Sequence, residues 1–364
     1  MVNKGKPLYK NLKYCTRCCL PETVEGISFD EMGMCTVCRS QEQKMHINWE
    51  DRRKKLEEIL FKYRNRPGSY YDCLVPISGG KDSAFQMHVI TKVYKLKPLA
   101  VTFNHNWYTE TGKYNLQLVL EKFNVDHIMY TPNRALINKL AKKSLYKIGD
   151  SCWHCHAGVG AFPLHIALKF NIPLLIWGES VAETAARATY YEPVEYDVDY
   201  FLRISTKVHP EGMVDKDISK RDLCFFTTPT AEEFKKAGIV GIHLGDYIFW
   251  DHERQTEFLK KEYGWKEDDV EGTYKKYKSV ECKMAGVHDY AKFIKRGYGR
   301  TTDHVTQDIR AGLMTREEGF DIVRKLDPKE PGALKKYLEI AGLSKKEFTR
   351  VLRSLRHGKA KELP

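Results

Sequence analysis

The chain has 364 residues, 42% of them hydrophobic and 30% charged, which is the composition of a globular protein with a sizeable core and room for two domains. No apolar run approaches the roughly 18 residues that a membrane helix needs, and residues 1–6 lead into no hydrophobic segment, so we expect a cytoplasmic protein with no signal peptide and no membrane partner. The net charge of +12 favours an anionic partner, and the ten cysteines favour metal or redox roles over disulfides, because the cytoplasm is reducing.

The first element along the chain is a pair of Cys-x-x-Cys knuckles. They are Cys15 with Cys18 and Cys35 with Cys38, and sixteen residues separate the inner two cysteines. This spacing is typical of a structural Zn²⁺ site with four thiolate ligands. Residues 1–48 are too few to form a core, so metal binding would supply their folding energy. An amphipathic helix over 49–63 follows, within a linker that we place at residues 49–68.

The hexapeptide Ser-Gly-Gly-Lys-Asp-Ser, residues 78–83, follows a β-branched apolar strand at 71–78 and precedes a segment with helical spacing that ends near residue 94. Its glycines allow a sharp turn and bring backbone N–H groups close to an anion. The start of the helix adds partial positive charge. The sequence therefore predicts a phosphate-binding loop, with a spacing unlike that of the Walker motif.

Strands and helices then alternate over a predicted domain at 69–240. Further strands are predicted at 99–104, 127–130 and 173–179, and further helices at 114–123, 133–146 and 158–170. This alternation indicates an α/β fold, with a parallel sheet and helices on both faces. Ligands of such sheets bind at the carboxyl ends of the strands. We therefore expect the strand ends at Ser78, Asn104, Thr131 and Gly178–Glu179 to face one cleft.

Two clusters are expected near this cleft. Residues 150–156 contain two thiols and two imidazoles just before a predicted helix, which is compatible with a metal site, redox chemistry or a substrate pocket. Residues 177–183 place a carboxylate, Glu179, at a strand end, where it would suit Mg²⁺ or a substrate hydroxyl. Glu183 is compatible simply with the first turn of a helix.

The rest of the chain is predicted to be irregular over 190–230, as a lid or substrate loop, and then helical. A helical subdomain is placed at 241–364, with helices at 246–261, 288–296, 303–313, 315–326, 332–341 and 344–355. Residues 295–304 are predicted to be a loop with two glycines, three cations, a carboxylate and an imidazole. Either an anion- or sugar-contacting role or a plain turn between helices fits this composition.

Several of these motifs together resemble the N-acetyl sugar amidotransferase family of the PP-loop ATP pyrophosphatase superfamily. They are the four knuckle cysteines, 75–83, 152–156, 176–179, 297–304, 308–310 and 314–318. The resemblance covers nearly the whole chain. It implies an adenine nucleotide alpha hydrolase-like PP-loop fold with an N-terminal zinc-ribbon segment and a C-terminal helical subdomain.

The resemblance also implies an activity, namely ATP-dependent conversion of a sugar acetamido group into an acetamidino group. Such sugars enter lipopolysaccharide O-antigens or nonulosonic acids. ATP would adenylate the amide oxygen, and ammonia would then displace AMP. The implied partner is a glutaminase of the histidine-biosynthesis type, which would supply the ammonia. The substrate would be an acetamido sugar, free or nucleotide-linked, and no nucleic-acid partner is expected.

The implied site takes residues from most of these motifs. ATP and Mg²⁺ would be bound by Ser78, Gly79, Gly80, Asp82 and Ser83, with Phe103, Asn104 and Gly178 at the neighbouring strand ends. The catalytic residues would be Lys81, Asp82, His154, His156 and Glu179. The substrate would contact Cys152, Cys155, Arg300, Asp303 and His304, and Zn²⁺ would be held by Cys15, Cys18, Cys35 and Cys38.

Two alternatives stay open at the level of sequence. A PP-loop tRNA thiolation enzyme would use Cys152 and Cys155 with Cys224 or Cys282, and the basic charge would suit tRNA, although no separate RNA-binding module is visible. The second alternative is a non-enzymatic zinc-ribbon protein that binds nucleotide or nucleic acid. Release of pyrophosphate from ATP would distinguish an enzyme from such a binder.

Overall fold

The fold is built on a parallel sheet of five short strands, seen in a computed structural model that describes residues 4–183, 189–193, 196–201, 203 and 206–364. The strands are β1 (Cys73–Pro76), β2 (Pro98–Phe103), β3 (Asp126–Tyr130), β4 (Leu174–Trp177) and β5 (Val240–His243). Their order across the sheet is β3-β2-β1-β4-β5, and every pairing is parallel. The α/β class with a parallel sheet, as predicted from the alternation of strands and helices, is confirmed.

Thirteen α-helices are found among the described residues. They are α1 (Thr36–His46), α2 (Trp49–Tyr63), α3 (Lys81–His88), α4 (Glu110–Phe123), α5 (Arg134–Ile148), α6 (Trp153–Lys169), α7 (Ala231–Lys236), α8 (His252–Tyr263), α9 (Ala285–Arg296), α10 (Arg300–Arg310), α11 (Arg316–Leu326), α12 (Ala333–Ala341) and α13 (Lys345–Ser354). The π-helical turn Val89–Val93 continues α3. None of these helices is both long and apolar enough to cross a membrane.

The sheet separates two apolar cores, because successive side chains of a strand point to opposite faces. In β1, Leu74 enters one core while Cys73 and Val75 enter the other. The first core is closed by α5, α6, α9, α12 and α13, and the second by α2, α3, α4 and α8. The C-terminal helices α9, α12 and α13 therefore pack directly on the α/β unit.

Several boundaries differ from those predicted. Helix α6 begins at Trp153 rather than near 158, so residues 153–156 lie in its first turn. The first turn was missed because the thiols and imidazoles of residues 150–156 were interpreted as a cluster that precedes the helix. At Gly158 a Cβ atom would lie 2.2 Å from the ring of Phe103, so the helix approaches the sheet at a distance that only glycine permits.

The predicted loop at 295–304 is also shorter than expected. Helix α9 ends at Arg296 and α10 begins at Arg300, so only residues 297–299 connect them. The prediction that Arg300 lies in a loop was wrong, because α10 begins at this residue; Asp303 and His304, which the predicted loop shared with the predicted helix at 303–313, lie in the first turns of α10. Similarly, α8 begins at His252, after the N-cap Asp251, and not at 246.

Strand β5 and helix α1 were not predicted. The strand has only four residues, and its Gly241 lies against the ring of Tyr196, where a Cβ would be 2.3 Å from the nearest atom. The expected boundary between 240 and 241 falls inside this strand. Within 190–230, the described residues include short 3₁₀ helices at Pro210–Met213 and Arg221–Phe226, and Phe226 stacks on Trp153 in the first core.

Candidate active site

The glycine loop, residues 78–83, joins β1 to α3 at the carboxyl edge of the sheet. Gly79 has a φ of +83°, and a Cβ there would lie 2.6 Å from the carbonyl oxygen of Gly112 in α4. Only glycine fits this corner. The Ser78 N–H donates to Ser83 Oγ at 3.3 Å, and Ser83 Oγ donates to the Gly80 carbonyl at 3.0 Å, so the loop is closed on itself. Its form is the one that the sequence predicts for anion binding.

Asp82, in the first turn of α3, lies within a partly buried charged network. Its Oδ1 accepts hydrogen bonds from Lys81 Nζ at 2.5 Å and from Trp250 Nε1 at 3.2 Å. Lys81 Nζ also lies 2.7 Å from His252 Nδ1. Burial would raise the pKa of Asp82, but Lys81 and His252 hold the pKa of this carboxyl well below its usual range. Asp82 is therefore an anion at neutral pH.

Glu179 belongs to the same network, since its Oε1 lies 3.0 Å from His252 Nε2. Burial alone would raise its pKa, yet His252 and Lys278 lower the pKa of Glu179 to about 2. Burial and the neighbouring Lys81 lower the pKa of Lys278 to about 8. Sequence reasoning missed His252 and Trp250, which lie at the start of a helix some 170 residues away from the loop.

A C-terminal segment, the roof segment (residues 278–283), crosses over the glycine loop. It is anchored by Thr109 N–H, which donates to the Glu281 carbonyl at 3.1 Å, and by Lys283 N–H, which donates to the Trp107 carbonyl at 2.8 Å. A Cβ at Gly80 would lie 3.3 Å from Glu281 Oε2, so this carboxylate lies directly beside the loop. Glu281 Oε2 is buried and has no hydrogen-bond partner among the described residues, and burial raises the pKa of this carboxyl.

A cavity of about 430 Å³, the loop cavity, opens between the glycine loop and the roof segment. Its wall contains these residues of the predicted site: Ser78, Asp82, Ser83, Phe103, Cys152, Cys155, His156, Gly178 and Arg300. The wall also contains residues that the sequence analysis did not assign, among them Glu281, His288 and Cys282, although Cys282 was weighed in the thiolation alternative. The first turn of α6 and the glycine loop thus face the same space.

Other residues of the predicted site lie elsewhere. His154 is 0% exposed and packs edge-on against Trp107, with ring centroids 4.7 Å apart. The side-chain amide of Asn104 donates a hydrogen bond to Thr131 Oγ1 at 3.0 Å. This bond joins the residues that follow strands β2 and β3. Lys81 is 2% exposed, with its ammonium against Asp82 and His252. The Lys81 ammonium can therefore act on a bound anion only through its electrostatic potential and not through a direct contact.

Asp150 and His288 form a pair that sequence reasoning did not find. Asp150 Oδ1 lies 2.8 Å from His288 Nδ1 and accepts a hydrogen bond from the Cys152 N–H at 2.7 Å. Burial disfavours the charged form of both residues, but the attraction between the two charges outweighs it. The pKa of His288 is therefore raised, and the pKa of Asp150 is held well below its usual range. Asp150 opens a cluster that the sequence did single out, whereas His288, 138 residues later, gave no local signal.

A second cavity of about 360 Å³ adjoins the first and shares Ser279 and Arg300 with it. Asp303 and His304 lie in its wall, together with Lys278, Lys292 and Arg310. Arg300 is paired with Asp289, and Lys292 Nζ lies 2.5 Å from Asp303 Oδ2. Burial holds the pKa of His304 well below its usual range, so this imidazole is neutral, and its Nδ1 lies 2.6 Å from Thr273 Oγ1.

The four knuckle cysteines converge as the spacing predicts. Their sulfur atoms all lie within 4.8 Å of one another, and each residue is buried. The backbone N–H groups of Cys35 and Arg17 point at Cys15 Sγ, at 3.2 and 3.4 Å, which is an arrangement suited to a thiolate. Four buried sulfurs with such donors fit a closed tetrahedral Zn²⁺ site.

The zinc-ribbon segment packs against the α/β unit. Lys44 of α1 is buried, forms an ion pair with Glu183 and donates to the Trp250 carbonyl at 2.6 Å. Leu20, Val24 and Val37 line the second cavity. Glu183 is therefore the counter-ion of the buried Lys44, and this ion pair links helix α1 to the segment that follows β4.

Comparison with known proteins bears on the C-terminal part. A family model described as the C-terminal domain of WbpG-like LPS biosynthesis proteins matches residues 271–361. The WbpG-like family is thus matched over this segment. The matched segment is about a quarter of the chain and contains the motifs at 297–304, 308–310 and 314–318, so it supports the resemblance over those motifs. The matched segment contributes the roof segment, His288 and several residues of α10, among them Arg300, Asp303 and His304, to the two cavities.

Two other proteins are similar over longer stretches. An uncharacterized protein of Methanocaldococcus jannaschii is 28% identical over 324 residues, covering 88% of this chain and 96% of the relative. Among solved structures, the NMN synthetase from Francisella tularensis has 14% sequence identity and a TM-score of 0.30, covering 62% of this chain and 98% of that chain.

Proposed function

We propose that the protein is an ATP-dependent amidotransferase that converts the acetamido group of a sugar into an acetamidino group through an adenylated intermediate. The observation on which this depends is the loop cavity, in which a glycine-cornered anion loop faces Cys152, Cys155 and His156 beneath a WbpG-like roof. The WbpG-like match supports a role in lipopolysaccharide biosynthesis, and the acetamido sugar as substrate class follows from the resemblance of the sequence motifs.

The loop suits the β- and γ-phosphates of ATP. Its backbone N–H groups and the start of α3 offer donors and partial positive charge to an anion. Lys81 adds a buried positive charge behind the loop. These groups would stabilise the pyrophosphate as it leaves.

Glu281 would hold Mg²⁺ at this site. Its Oε2 lies beside Gly80 and has no hydrogen-bond partner among the described residues, and hard divalent cations prefer such oxygen ligands. When bound, Mg²⁺ would neutralise the phosphate charge that develops as pyrophosphate departs.

The proposed reaction has two steps, adenylation of the amide oxygen and displacement of AMP by ammonia. The acetamido oxygen attacks the α-phosphorus of ATP, forming an O–P bond and expelling pyrophosphate. Ammonia adds to the activated carbon, and the C–O bond to AMP breaks, so the amide oxygen leaves within AMP. His156, in the cavity wall, would accept a proton that the attacking nitrogen loses. The proposal includes a partner glutaminase of the histidine-biosynthesis type as the source of ammonia.

The test is an assay of the full chain with Mg-ATP, ammonium chloride and a panel of acetamido sugars. We expect AMP, pyrophosphate and a sugar lighter by one dalton, because NH replaces oxygen. Asp82→Asn should abolish AMP formation, whereas Asp269→Asn, whose side chain is 89% exposed, should leave the rate unchanged. AMP formation at the normal rate by folded Asp82→Asn would refute the assignment of the loop.

One observation favours a second candidate, a tRNA thiolation enzyme. Cys152, Cys155 and Cys282 all line the loop cavity, so three thiols face the site of adenylation. Of the two partners weighed with this pair in the sequence, Cys282 lies in the wall, whereas Cys224 is exposed. Iron and inorganic sulfide in the purified protein, together with co-purifying tRNA, would favour this candidate over the amidotransferase.

A further inference from the structure

Three unlike donor groups meet between the loop cavity and a neighbouring cavity. A carboxylate oxygen of Asp150, Sγ of Cys152 and a ring nitrogen of His288 all lie within 4.8 Å of one another. Two of them come from the turn before α6 and the third from α9, so the fold brings them together from distant parts of the chain. Oxygen, sulfur and nitrogen donors in one cluster are the ligands of a borderline transition metal.

The geometry of the cluster is close to that of a metal site. Asp150 Oδ1 and His288 Nδ1 are 2.8 Å apart, a hydrogen-bond distance. Two such ligands of tetrahedral Zn²⁺ are separated by about 3.3 Å, given bond lengths of about 2.0 Å. A small rotation of either side chain would therefore convert the hydrogen bond into two metal bonds. The Cys152 N–H, 2.7 Å from Asp150 Oδ1, already restricts the carboxylate.

The cluster is accessible from two sides. His288 lines both the loop cavity and a larger basic cavity of about 570 Å³, and Asp150 lines the larger one. The side chains of His288 and Asp150 are 26% and 18% exposed. A bound ion would therefore have three protein ligands and a fourth position open to the cavities, which is the pattern of a catalytic rather than a structural zinc site.

We propose that Asp150, Cys152 and His288 form a second metal site that takes Zn²⁺ or a divalent metal of similar softness. The thiol and the imidazole disfavour Mg²⁺, which prefers oxygen ligands in octahedral geometry. This site is distinct from the four-cysteine site, whose ligands all come from residues 15–38. The proposal is independent of the amidotransferase activity, because its test measures metal and not turnover.

The experiment is equilibrium dialysis of the full-length chain against buffered Zn²⁺, followed by elemental analysis. We expect about two zinc ions per chain for the unaltered protein, and about one for Cys152→Ala and for His288→Ala. Cys224→Ala, which removes an exposed cysteine outside both clusters, is the matched control and should retain two.

Asp150→Asn covers the case in which the other variants do not fold, since it preserves the size of the side chain. The affinity of this variant for the second zinc should fall by at least ~10–100-fold, which is the loss that follows removal of an outer-shell partner of a metal ligand. Spectroscopy gives an independent readout. With one equivalent of Zn²⁺ in the four-cysteine site, added Co²⁺ should produce a thiolate charge-transfer band that Cys152→Ala removes.

Several results would overturn the proposal. They are a single zinc per chain in the unaltered protein, a second zinc that persists in Cys152→Ala and His288→Ala, and iron with inorganic sulfide at this position.

Discussion

Arg316 donates two hydrogen bonds to the carbonyl oxygen of Cys15, from Nη2 at 2.8 Å and from Nε at 3.1 Å. Nε also lies 3.0 Å from the Cys18 carbonyl, so one guanidinium holds both ends of the first knuckle. The knuckle is thereby attached to α11, at the opposite end of the sequence. Removal of zinc should therefore affect the C-terminal helices as well as the first forty residues.

The first prediction concerns this attachment. Arg316→Lys should lower the free energy of unfolding by about 1–2 kcal/mol, because a lysine has no planar fork to bond several carbonyls. Chelation of zinc should lower the melting temperature by more. Arg350→Lys, on the exposed face of α13, is the control. Equal melting temperatures of the Arg316 and Arg350 variants would show that the guanidinium does not stabilise the knuckle.

The second prediction separates backbone strain from close packing in the glycine loop. Gly79 and Gly68 have similar φ values, +83° and +78°, but a Cβ at Gly68 meets nothing within 4 Å. Gly68→Ala should cost roughly 1–2 kcal/mol of stability, from strain alone. Gly79→Ala should cost a further ~1–3 kcal/mol, because its methyl group overlaps the backbone of α4. Chemical denaturation of both variants measures the difference, and equal costs would contradict the close approach.

The sequence predicted this loop well because its determinants are local. An apolar strand, a glycine pair and a helical pattern follow one another within about twenty residues, and each acts through its own backbone. The four knuckle cysteines are likewise encoded by spacing. The parallel sheet followed from the alternation of its elements, except for β5, whose four residues include a glycine and give little periodic signal.

The rest of the site depends on contacts that no local pattern encodes. His252 meets Lys81 across 171 residues, and His288 meets Asp150 across 138. Glu281 reaches Gly80 because the roof segment is held by backbone hydrogen bonds to residues 107–109. The family resemblance implied a catalytic role for His154, whereas helical geometry turns this side chain away from His156 and towards Trp107.

The third prediction distinguishes His154 from His156. Burial lowers the pKa of His154 to about 3, from 6.5 in the unfolded chain. The unfolded state therefore binds a proton at pH values where the folded state does not, and stability falls as the pH is lowered from 6.5 towards 3. His154→Phe should remove this loss, on the order of a few kcal/mol, and leave turnover nearly unchanged.

Denaturation of the unaltered chain, His154→Phe and the exposed-site control His46→Phe at several pH values measures this effect. His156→Phe should instead reduce turnover. An unchanged pH dependence in His154→Phe, or a loss of turnover there as severe as in His156→Phe, would contradict the placement of His154 in the core.

The fourth prediction concerns Glu179. Its pKa of about 2 in the folded protein lies below the usual 4.5, so its ionised form contributes stability that is present above pH 4.5 and is lost as the pH falls towards 2. Glu179→Gln should flatten the acid limb of the stability curve within this window. Glu257→Gln, whose side chain is 69% exposed, should leave the limb unchanged. Identical limbs in the two variants would show that His252 and Lys278 do not stabilise the ionised carboxyl.

The central claim is that the amide oxygen of the substrate is adenylated in the loop cavity. Its most direct test is turnover of acetamido sugars labelled with ¹⁸O at the carbonyl, in the presence of Mg-ATP and ammonium, with mass analysis of the nucleotide product. The account requires AMP that carries the label, together with an unlabelled acetamidino sugar. ADP as the product, or AMP whose new oxygen comes from water, would contradict it.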